Sequence, residues 1–334
     1  MKAFILAAGQ GTRLRPFTDE LPKPLIPVLN RPVMERVMSL CRAHGFTDLV
    51  ANLHYKGAKI EATFGDGQAY GVNLTYSWEE ELLGTAGGVR RQADYLGSET
   101  FAVFSGDVVT NLDLTQLLAF HREHGGIATM AVREVADPSG FGVVVMDRAT
   151  GRIQSFQEKP KPGTEQSRLA NMGIYILEPG VFEQIPPDTV FDFGHQLFPQ
   201  LLAKGVPLYA MRTDAYWSDV GTLAQYLYTH WDLLTRMDIL PFKKRVGQGT
   251  VIEPGAVVSS RVLIGENCHI QSGAVVMGFS CIGDGTVVKP SARVLDSIVW
   301  DTEQFRRLSV GDEVVRSIVS HGKRVVVGFK GLVA

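Results

Sequence analysis

The sequence is poor in cysteine. Its 334 residues include three, Cys41, Cys268 and Cys281, and their spacing matches neither a set of metal ligands nor a disulfide framework. This scarcity excludes the class of small secreted proteins that disulfides stabilise, and it fits a reducing cytoplasm, where we expect the protein to reside.

An excess of charge of one sign and long apolar runs are also lacking. The 33 Lys and Arg residues nearly balance the 35 Asp and Glu residues, so the formal net charge is −2. No strong field should therefore attract nucleic acid or a membrane surface. No apolar run could span a bilayer, and Met1 leads into an apolar strand without a charged leader. The chain length suggests two domains, or one large domain plus an appendage, and a hydrophobic fraction of 45% is ample for a packed core.

The most informative stretch follows the first apolar run. Residues Phe4–Ala8 predict a buried parallel strand, which breaks into a loop with two glycines, Gly9 and Gly11. Glycines let backbone approach a ligand closely, and their N–H groups can surround an anion. Arg13 adds a cationic fork suited to phosphate, and Lys23 stands between two prolines on a stiff segment. The loop is therefore predicted to hold a polyphosphate.

Two better-known glycine loops do not fit this stretch. A dinucleotide-binding fingerprint needs a third glycine where Leu14 stands. A P-loop needs Gly-Lys followed by Ser or Thr, which is missing here. A turn that uses glycine for steric reasons alone does not explain the Thr12-Arg13 pair or the later Pro-Lys-Pro.

Strand and helix signals alternate through the first part of the chain. This rhythm predicts an α/β fold with a Rossmann-like, mostly parallel sheet and helices on both faces. Ligands bind such sheets beyond the carboxyl ends of the strands, where the Gly9 loop and Asp107 both lie. The predicted strands are Phe4–Ala8, Leu49–Leu53, Asn73–Trp78, Phe101–Phe104 and Ile127–Arg133, and the predicted helices are Val33–His44, Ile60–Phe64, Gly88–Tyr95 and Leu114–His124.

The rhythm changes after Asp137. Residues Gly142–Met146 and Arg152–Glu158 pair naturally as a hairpin, and together with later strands they predict an antiparallel insertion that forms one wall of a cleft. The later elements are strands Gly173–Leu177 and Leu208–Thr213 and helices Leu197–Lys204 and Leu223–Arg236.

An internal repeat fills most of the last third. Aliphatic residues recur every six positions, and a glycine follows every third one, so that a longer period of eighteen is superimposed. This pattern predicts a parallel β-helix with three short faces per coil. The aliphatic positions are Val246, Ile252, Val258, Ile264, Ile270, Val276, Ile282, Val288 and Val294.

The repeat sets the predicted domain boundaries. We expect a first domain at 1–236, a linker at 237–245 with a proline and a basic run, and a β-helix domain at 246–334. An insertion at Trp300–Ser309 breaks the repeat, Val310–Asp312 restarts it, and Arg324–Val327 is predicted to be a closing strand.

A series of short motifs runs in order along the chain: Gly9–Pro16, Pro22–Pro24, Leu83–Ala86, Gly106-Asp107, Phe141-Gly142, Glu158–Pro160, Asn171–Tyr175 and Trp217–Gly221. Together they resemble the motifs of the sugar-1-phosphate nucleotidyltransferases, also called nucleoside-diphosphate-sugar pyrophosphorylases. The resemblance covers almost the whole chain, and some branches of that family also carry a hexapeptide-repeat tail that forms a left-handed parallel β-helix.

The resemblance implies a reaction and a set of catalytic residues. The oxygen of a sugar 1-phosphate attacks the α-phosphorus of a nucleoside triphosphate, and pyrophosphate leaves without a covalent enzyme intermediate. Such chemistry needs cations and a metal rather than a nucleophile. Arg13 is expected at the pyrophosphate and Lys23 near the α-phosphate, while Asp107 and Asp219 match the family's Mg²⁺ ligands.

The same resemblance implies the binding residues of both substrates. The nucleotide is expected on Leu6, Ala8, Gly9, Gly11, Thr12, Arg13, Gly84 and Thr85. The antiparallel insertion is expected to bind the sugar phosphate through Gly142, Glu158, Lys159 and Asn171.

Several alternatives remain open at this stage. The GDP-mannose pyrophosphorylases are the branch that the chain resembles most, which implies GTP and mannose 1-phosphate as substrates. A glucose-1-phosphate thymidylyl-, uridylyl- or adenylyltransferase and an N-acetylmuramate-1-phosphate uridylyltransferase are alternatives, as is a non-catalytic regulatory subunit that binds a nucleotide sugar. The tail is expected to assemble a homo-oligomer rather than to act as an acyltransferase, since His269 stands alone there. Asp192-Phe193-Gly194 is interpreted as a chance match to a kinase triplet or as a loop at the sugar site.

Overall fold

The computed structural model describes residues 1–236, 238–240, 244–300 and 309–328. These residues form two compact units. The first combines Met1–Gln10 with Met34–Trp217, and the second combines Gly11–Val33 with the described residues from Ser218 onwards. The glycine loop is therefore divided between the units, since Gly9 belongs to the first and Gly11 to the second.

Thirteen strands and seven α-helices precede the β-helix. The strands are β1 (Lys2–Leu6), β2 (Pro27–Val28), β3 (Arg31–Pro32), β4 (Asp48–Leu53), β5 (Asn73–Trp78), β6 (Phe101–Ser105), β7 (Val108–Thr110), β8 (Ala128–Glu134), β9 (Gly142–Met146), β10 (Ile153–Glu158), β11 (Leu169–Leu177), β12 (Leu208–Arg212) and β13 (Trp217–Asp219). The helices are α1 (Val33–Ala43), α2 (Gly57–Phe64), α3 (Gly84–Arg91), α4 (Ala93–Leu96), α5 (Leu114–His124), α6 (Phe198–Ala203) and α7 (Leu223–Thr235).

A nine-stranded sheet organises the first unit. Its main path runs β10-β9-β11-β6-β1-β4-β5, and β8 joins β11 and is joined in turn by β12. Strand β1 is parallel to β4 and β6, and β4 is parallel to β5. Strand β11 is antiparallel to β6, β8 and β9, and β9 pairs with β10 as a hairpin. The predicted parallel sheet with an antiparallel insertion is confirmed.

Apolar residues on the sheet explain why these strands form. Phe4, Val50 and Val103 are almost completely buried in one large hydrophobic cluster, as expected for parallel strands with both faces covered. The aromatic rings of Phe193 and Phe198 belong to the same cluster. This core fixes the carboxyl ends of β1, β4 and β6, where the predicted binding loops begin.

Three of the boundaries that differ from the predictions have a clear physical reason. Strand β1 ends at Leu6 rather than Ala8 because the N–H of Ala7 donates to a side chain, Oδ1 of Asn52, at 2.7 Å. Helix α3 begins at Gly84 rather than Gly88 because the carbonyl of Phe191 accepts the N–H groups of two residues in its first turn. Strand β11 begins at Leu169 rather than at the predicted Gly173. The added residues pair with β8 across a shift of register, which the hydrophobic pattern of the sequence does not reveal.

The second unit contains the predicted β-helix. Its strands are β14 (Val251–Ile252), β15 (Val257–Val258), β16 (Leu263–Ile264), β17 (His269–Ile270), β18 (Val275–Met277), β19 (Cys281–Ile282), β20 (Val287–Val288), β21 (Arg293–Leu295), β22 (Ile298–Val299), β23 (Ser309–Val310), β24 (Glu313–Val315), β25 (Ser317–Ser320) and β26 (Lys323–Val326). They form three parallel sheets, and β26 closes one of them in the antiparallel sense.

The hexad positions form the interior of this β-helix. Residues from Ile264 to Val294 in the repeat are buried, whereas Val246 and Ile252 are 36% and 39% exposed at the end where the coils begin. The repeat restarts as predicted, since β23 pairs with β20 in parallel. Residues 301–308 of the predicted insertion, and 237 and 241–243 of the predicted linker, lie outside the described residues.

A short hairpin of the second unit rests on α7 and the β-helix. Strands β2 and β3 pair around Leu29 and Asn30, which both have positive φ. Nε2 of His230 accepts the N–H of Leu29 at 3.1 Å, and Nδ2 of Asn30 donates to the carbonyl of Ile282 at 2.8 Å. Earlier in the same segment, the ring of Phe17 lies 6.1 Å from that of Trp300. The segment that carries Lys23 is thus packed against both α7 and the coils.

Within the described ranges, no helix is long and apolar enough to cross a membrane.

Candidate active site

The predicted nucleotide loop begins where β1 ends. Leu6 is the last residue of that strand, Ala8 is buried, and Gly9 is exposed. A methyl group added at Gly9 would meet no protein atom within 4 Å. The protein itself therefore does not require a glycine at this position, and a ligand could approach the backbone closely here.

Gly11 is a glycine that the protein does require. Its φ of 64° lies in the left-handed region, and an added Cβ would come 3.0 Å from side-chain carbons of both Thr18 and Lys23. Oγ1 of Thr18 also donates to the carbonyl of Gly11 at 2.8 Å. Next, Thr12 and Arg13 enter a short 3-10 helix with both side chains exposed. This turn places the guanidinium on the surface of the second unit.

Three motif residues that lie far apart in sequence meet within the second unit. Nζ of Lys23 lies 3.4 Å from Oδ1 of Asp219, and the two side chains are 12% and 23% exposed. Gly221 adjoins this pair, because a Cβ there would lie 2.9 Å from Oδ2 of Asp219 and 3.1 Å from Nη2 of Arg13. The structure thus brings two cations and one carboxylate together around a glycine. Such a group can neutralise phosphate charge while the carboxylate remains a candidate metal ligand.

Asp107 stands beyond the end of β6 in the first unit. Gly106, just before it, donates its N–H to the carbonyl of Leu6 at 3.0 Å, and an added Cβ would lie 2.7 Å from that same oxygen. The close backbone contact sets the half-buried Asp107 beside the end of β1, on the ligand side of the parallel sheet.

The segment Leu83–Thr85 is held in place by residues from another part of the chain. Gly84 has a φ of 74°, and a Cβ there would lie 2.6 Å from the carbonyl oxygen of Phe191. Oγ1 of Thr85 donates to Oδ2 of Asp192 at 2.7 Å and accepts the N–H of Phe193 at 2.9 Å. The Thr85 hydroxyl is therefore engaged within the protein.

This contact explains the Asp192-Phe193-Gly194 triplet that resembled a kinase motif. Oδ1 of Asp192 accepts the N–H groups of Gly194 and His195, and so caps the turn that follows. Asp192 was not among the predicted site residues, although its triplet is interpreted above as a chance kinase match or a loop at the sugar site, and it contacts Thr85 of the predicted nucleotide segment.

The predicted sugar residues lie on the antiparallel insertion. Glu158 ends β10, and its carboxylate lies across two glycines, because a Cβ at Gly142 would be 3.0 Å from Oε2 and a Cβ at Gly194 would overlap the same carboxylate. Nζ of Lys159 is 3.4 Å from Oε1 of Glu158, and Lys159 has a positive φ of 43°. Gly194, from the triplet interpreted above as a chance kinase match or a loop at the sugar site, was not among the predicted binding residues, and its contact with Glu158 joins two distant segments.

Asn171 sits at the shift of register between β11 and β8. Its Nδ2 donates to the hydroxyl of Tyr175 at 2.8 Å, and its Oδ1 accepts the N–H of Gly173 at 3.0 Å. Burial raises the pKa of the Tyr175 phenol well above its ordinary value, so this hydroxyl stays protonated at neutral pH. The amide of Asn171 is thus oriented by two defined partners. Irregularities of this kind often re-aim side chains next to active sites.

No group of three or more His, Cys, Asp or Glu side chains suited to holding a metal occurs among the residues that the structure describes. A site built from protein ligands alone, such as a structural zinc site, is therefore not found in those ranges.

Comparison with protein families gives two matches. The nucleotidyl transferase family model matches residues 2–236. The model of bacterial transferase hexapeptide repeats matches residues 243–278 and 261–296, consistent with a left-handed β-helix in the second unit.

Individual relatives have names of the same kind. A UTP–glucose-1-phosphate uridylyltransferase of Synechocystis is 37% identical over 96% of this chain and 87% of its own length. A mannose-1-phosphate guanylyltransferase of Mycobacterium tuberculosis is 34% identical over 90% of this chain and 79% of its own length. Among solved structures, one described as a glucose-1-phosphate thymidylyltransferase from Bacillus anthracis superposes with a TM-score of 0.64 and 26% identity, covering 73% of this chain and 98% of that one.

Proposed function

Because the chain belongs to the nucleotidyl transferase family, within the sugar-1-phosphate nucleotidyltransferases, we propose that it makes GDP-mannose and pyrophosphate from GTP and mannose 1-phosphate. The name of the Mycobacterium tuberculosis relative supports this choice of substrates. The name of the Synechocystis relative favours UTP and glucose 1-phosphate as the second candidate.

One observation carries the catalytic assignment. Lys23 and Asp219 are in contact, and Arg13 lies against the same glycine, although these residues come from motifs at opposite ends of the predicted catalytic domain. A structural ion pair would need only one cation for one carboxylate. The second cation adds positive charge beside the ion pair, which suits an anionic substrate.

The proposed roles follow from where charge moves in the reaction. Negative charge grows on the departing pyrophosphate, so a fixed guanidinium at Arg13 stabilises the transition state more than the ground state. Lys23 holds the α-phosphate region, and the contact with Asp219 restricts its ammonium to one position.

Asp107 and Asp219 are the residues that would hold Mg²⁺. Both offer hard oxygen ligands, and a donor set of two carboxylates fits an ion that keeps several waters and binds substrate phosphates. When bound, the ion neutralises phosphate charge. The protein's own part is to present the two carboxylates and to hold Asp219 through Lys23.

We propose that the remaining predicted residues bind the two substrates. The backbone of Leu6, Ala8, Gly9, Gly11 and Thr12 would hold the nucleotide together with Gly84 and Thr85. Glu158 accepts hydrogen bonds from sugar hydroxyls, Gly142 lets the sugar approach, Lys159 pairs with the phosphate, and Asn171 offers both a donor and an acceptor.

The predicted architecture belongs to the same proposal. We propose a catalytic domain at 1–236, a linker at 237–245 and a β-helix domain at 246–334 that assembles a homo-oligomer. A cytoplasmic location is in line with three buried cysteines that form no disulfide.

A screen of turnover tests the proposed function. GTP, UTP, dTTP and ATP are each combined with mannose 1-phosphate, glucose 1-phosphate and N-acetylmuramate 1-phosphate, and pyrophosphate release is measured. The largest kcat/KM is expected for GTP with mannose 1-phosphate. A larger kcat/KM for another pair would change the proposed substrates but leave the proposed reaction in place. Absence of release from every pair, together with binding of a nucleotide sugar, would favour the non-catalytic regulatory subunit.

A further inference from the structure

Two polar side chains that have no role assigned above are buried side by side in the first unit. Asn52 lies on β4 and Glu79 directly follows β5, and each is only 3% exposed. Nδ2 of Asn52 donates to Oε1 of Glu79 at 2.8 Å. Burying a carboxylate costs free energy unless hydrogen bonds compensate the loss of water. The partners of this pair therefore indicate what its burial achieves.

Both ends of the pair hold backbone. The N–H of Ala7 donates to Oδ1 of Asn52 at 2.7 Å, and the N–H of Leu83 donates to Oε2 of Glu79 at 3.1 Å. Ala7 lies within the first nucleotide segment, Leu6–Gly9, and Leu83 immediately precedes the second, Gly84-Thr85. An unbroken chain of three hydrogen bonds therefore links the two segments.

The surroundings are shaped to keep this pair in place. Gly88 of α3 faces it, and an added Cβ would lie 2.6 Å from Oε1 of Glu79 and 3.1 Å from Nδ2 of Asn52. Gly88 has no positive φ, so its backbone conformation does not require a glycine. Nδ1 of His54 lies 2.9 Å from the carbonyl oxygen of Glu79 and anchors the backbone there as well.

We propose that Asn52 and Glu79 are positioning residues that set the spacing of the two nucleotide-binding segments. The inference rests on the proposed function, since those segments are assigned to the nucleotide there. The pair touches no substrate. It holds the backbone on both sides of the nucleotide, in the way that supporting residues pre-organise a binding site.

The arrangement of donors and acceptors limits which side chains can form this bridge. Both ends are N–H donors, so the bridge must present an acceptor at each end and one donor–acceptor pair in the middle. An amide with a carboxylate meets this requirement in either order. Two amides leave two donors facing each other, and two carboxylates leave two acceptors facing each other.

The experiment therefore compares Asn52→Asp, Glu79→Gln and the double variant that combines them. Each single variant should raise KM for the triphosphate about tenfold, as loss of a buried hydrogen bond implies, and leave KM for the sugar 1-phosphate within about twofold. The double variant restores all three hydrogen bonds with the same total charge, so it should recover the wild-type KM. Thermal unfolding is recorded for every variant.

A second pair of variants covers the case in which the double variant does not fold. Gly88→Ala should displace the carboxylate of Glu79 and raise KM for the triphosphate. Gly180→Ala is the matched control, because its added Cβ meets only Cδ1 of Ile127 at 3.6 Å, and should change nothing.

The outcomes separate this inference from the proposed function. Single variants with unchanged KM, or a folded double variant that fails to recover, would overturn the inference while wild-type turnover upholds the function. A loss confined to kcat, with both KM values unchanged, would also overturn it, because spacing of the two nucleotide segments should act on KM for the triphosphate. A wild-type protein without turnover for any triphosphate would overturn both.

Discussion

Nζ of Lys23 lies 3.4 Å from Oδ1 of Asp219, a residue 196 positions further along the chain. Neither side chain is fully exposed, so this contact differs from the exposed surface ion pairs that contribute little to stability. The contact joins Lys23, a proposed catalytic cation, to Asp219, a candidate metal ligand, and Arg13 adjoins the neighbouring Gly221. The predictions below follow from this arrangement and from the glycines around it.

Replacement of Lys23 by methionine keeps the length of the side chain and removes its charge. We expect kcat to fall about a hundredfold, the effect of losing one group that stabilises transferred charge. Steady-state kinetics of pyrophosphate release measure it. Lys204→Met, which removes an exposed cation that bonds to Gln184, is the matched control and should behave as wild type. Equal activity of both variants would contradict the role of Lys23.

Arg13→Ala should lower turnover by about two to three orders of magnitude, because the guanidinium meets charge that develops on the leaving group. The side chain is exposed, so the midpoint of thermal unfolding should not change. Arg148→Ala, at an exposed position of the β9–β10 turn, is the control. Unchanged turnover in Arg13→Ala would refute the assignment.

The two loop glycines should respond differently to alanine. Gly9→Ala meets no protein atom within 4 Å and should leave stability unchanged, yet raise KM for the triphosphate, because a methyl group would stand where the ligand approaches. Gly11→Ala forces a left-handed φ of 64° on alanine and should reduce the free energy of unfolding by about 1 kcal/mol or more. Chemical denaturation and kinetics on both variants check this. A stable Gly9→Ala with normal KM would argue against nucleotide binding there.

Gly194→Ala should act on the sugar side alone. The added methyl group would overlap the carboxylate of Glu158 and push it from its place above Gly142. We therefore expect a higher KM for the sugar 1-phosphate and an unchanged KM for the triphosphate, measured by varying each substrate in turn. A higher KM for the triphosphate, with KM for the sugar 1-phosphate unchanged, would contradict the assignment of Glu158 to the sugar site.

Chelation of divalent cations should abolish turnover without unfolding the protein. The expectation follows from the proposal that Asp107 and Asp219 hold Mg²⁺ together with substrate phosphates, since no self-sufficient metal cluster occurs among the described residues. Activity in the presence of EDTA and after addition of excess Mg²⁺, with circular dichroism as the control for folding, measures it. Full activity in EDTA would contradict a metal-dependent reaction.

The sequence predicted the regular elements well, because their apolar periodicity is local. The bounds of β5 (Asn73–Trp78) and α5 (Leu114–His124) agree with the predictions, and the hexad repeat anticipated the β-helix. In α5, Asp113 also caps the first turn by accepting two backbone N–H groups, a signal that depends on neighbouring residues alone.

The supporting residues could not be predicted in the same way. Gly194 matters because of a carboxylate 36 positions earlier in the chain, and Asn52 because of one 27 positions later. The early start of α3 depends on the carbonyl of Phe191. These features arise from contacts between segments that only the fold brings together, so a single sequence contains no local pattern for them.

The fate of the α-phosphorus tests the central claim most directly. The triphosphate selected by the screen is supplied with a label on either its α- or its γ-phosphate, together with the sugar 1-phosphate, and the products are separated. Nucleotidyl transfer predicts that the α label appears in the nucleotide sugar and the γ label in pyrophosphate. Appearance of the γ label on the sugar, or as free inorganic phosphate, would show a different reaction and contradict the account.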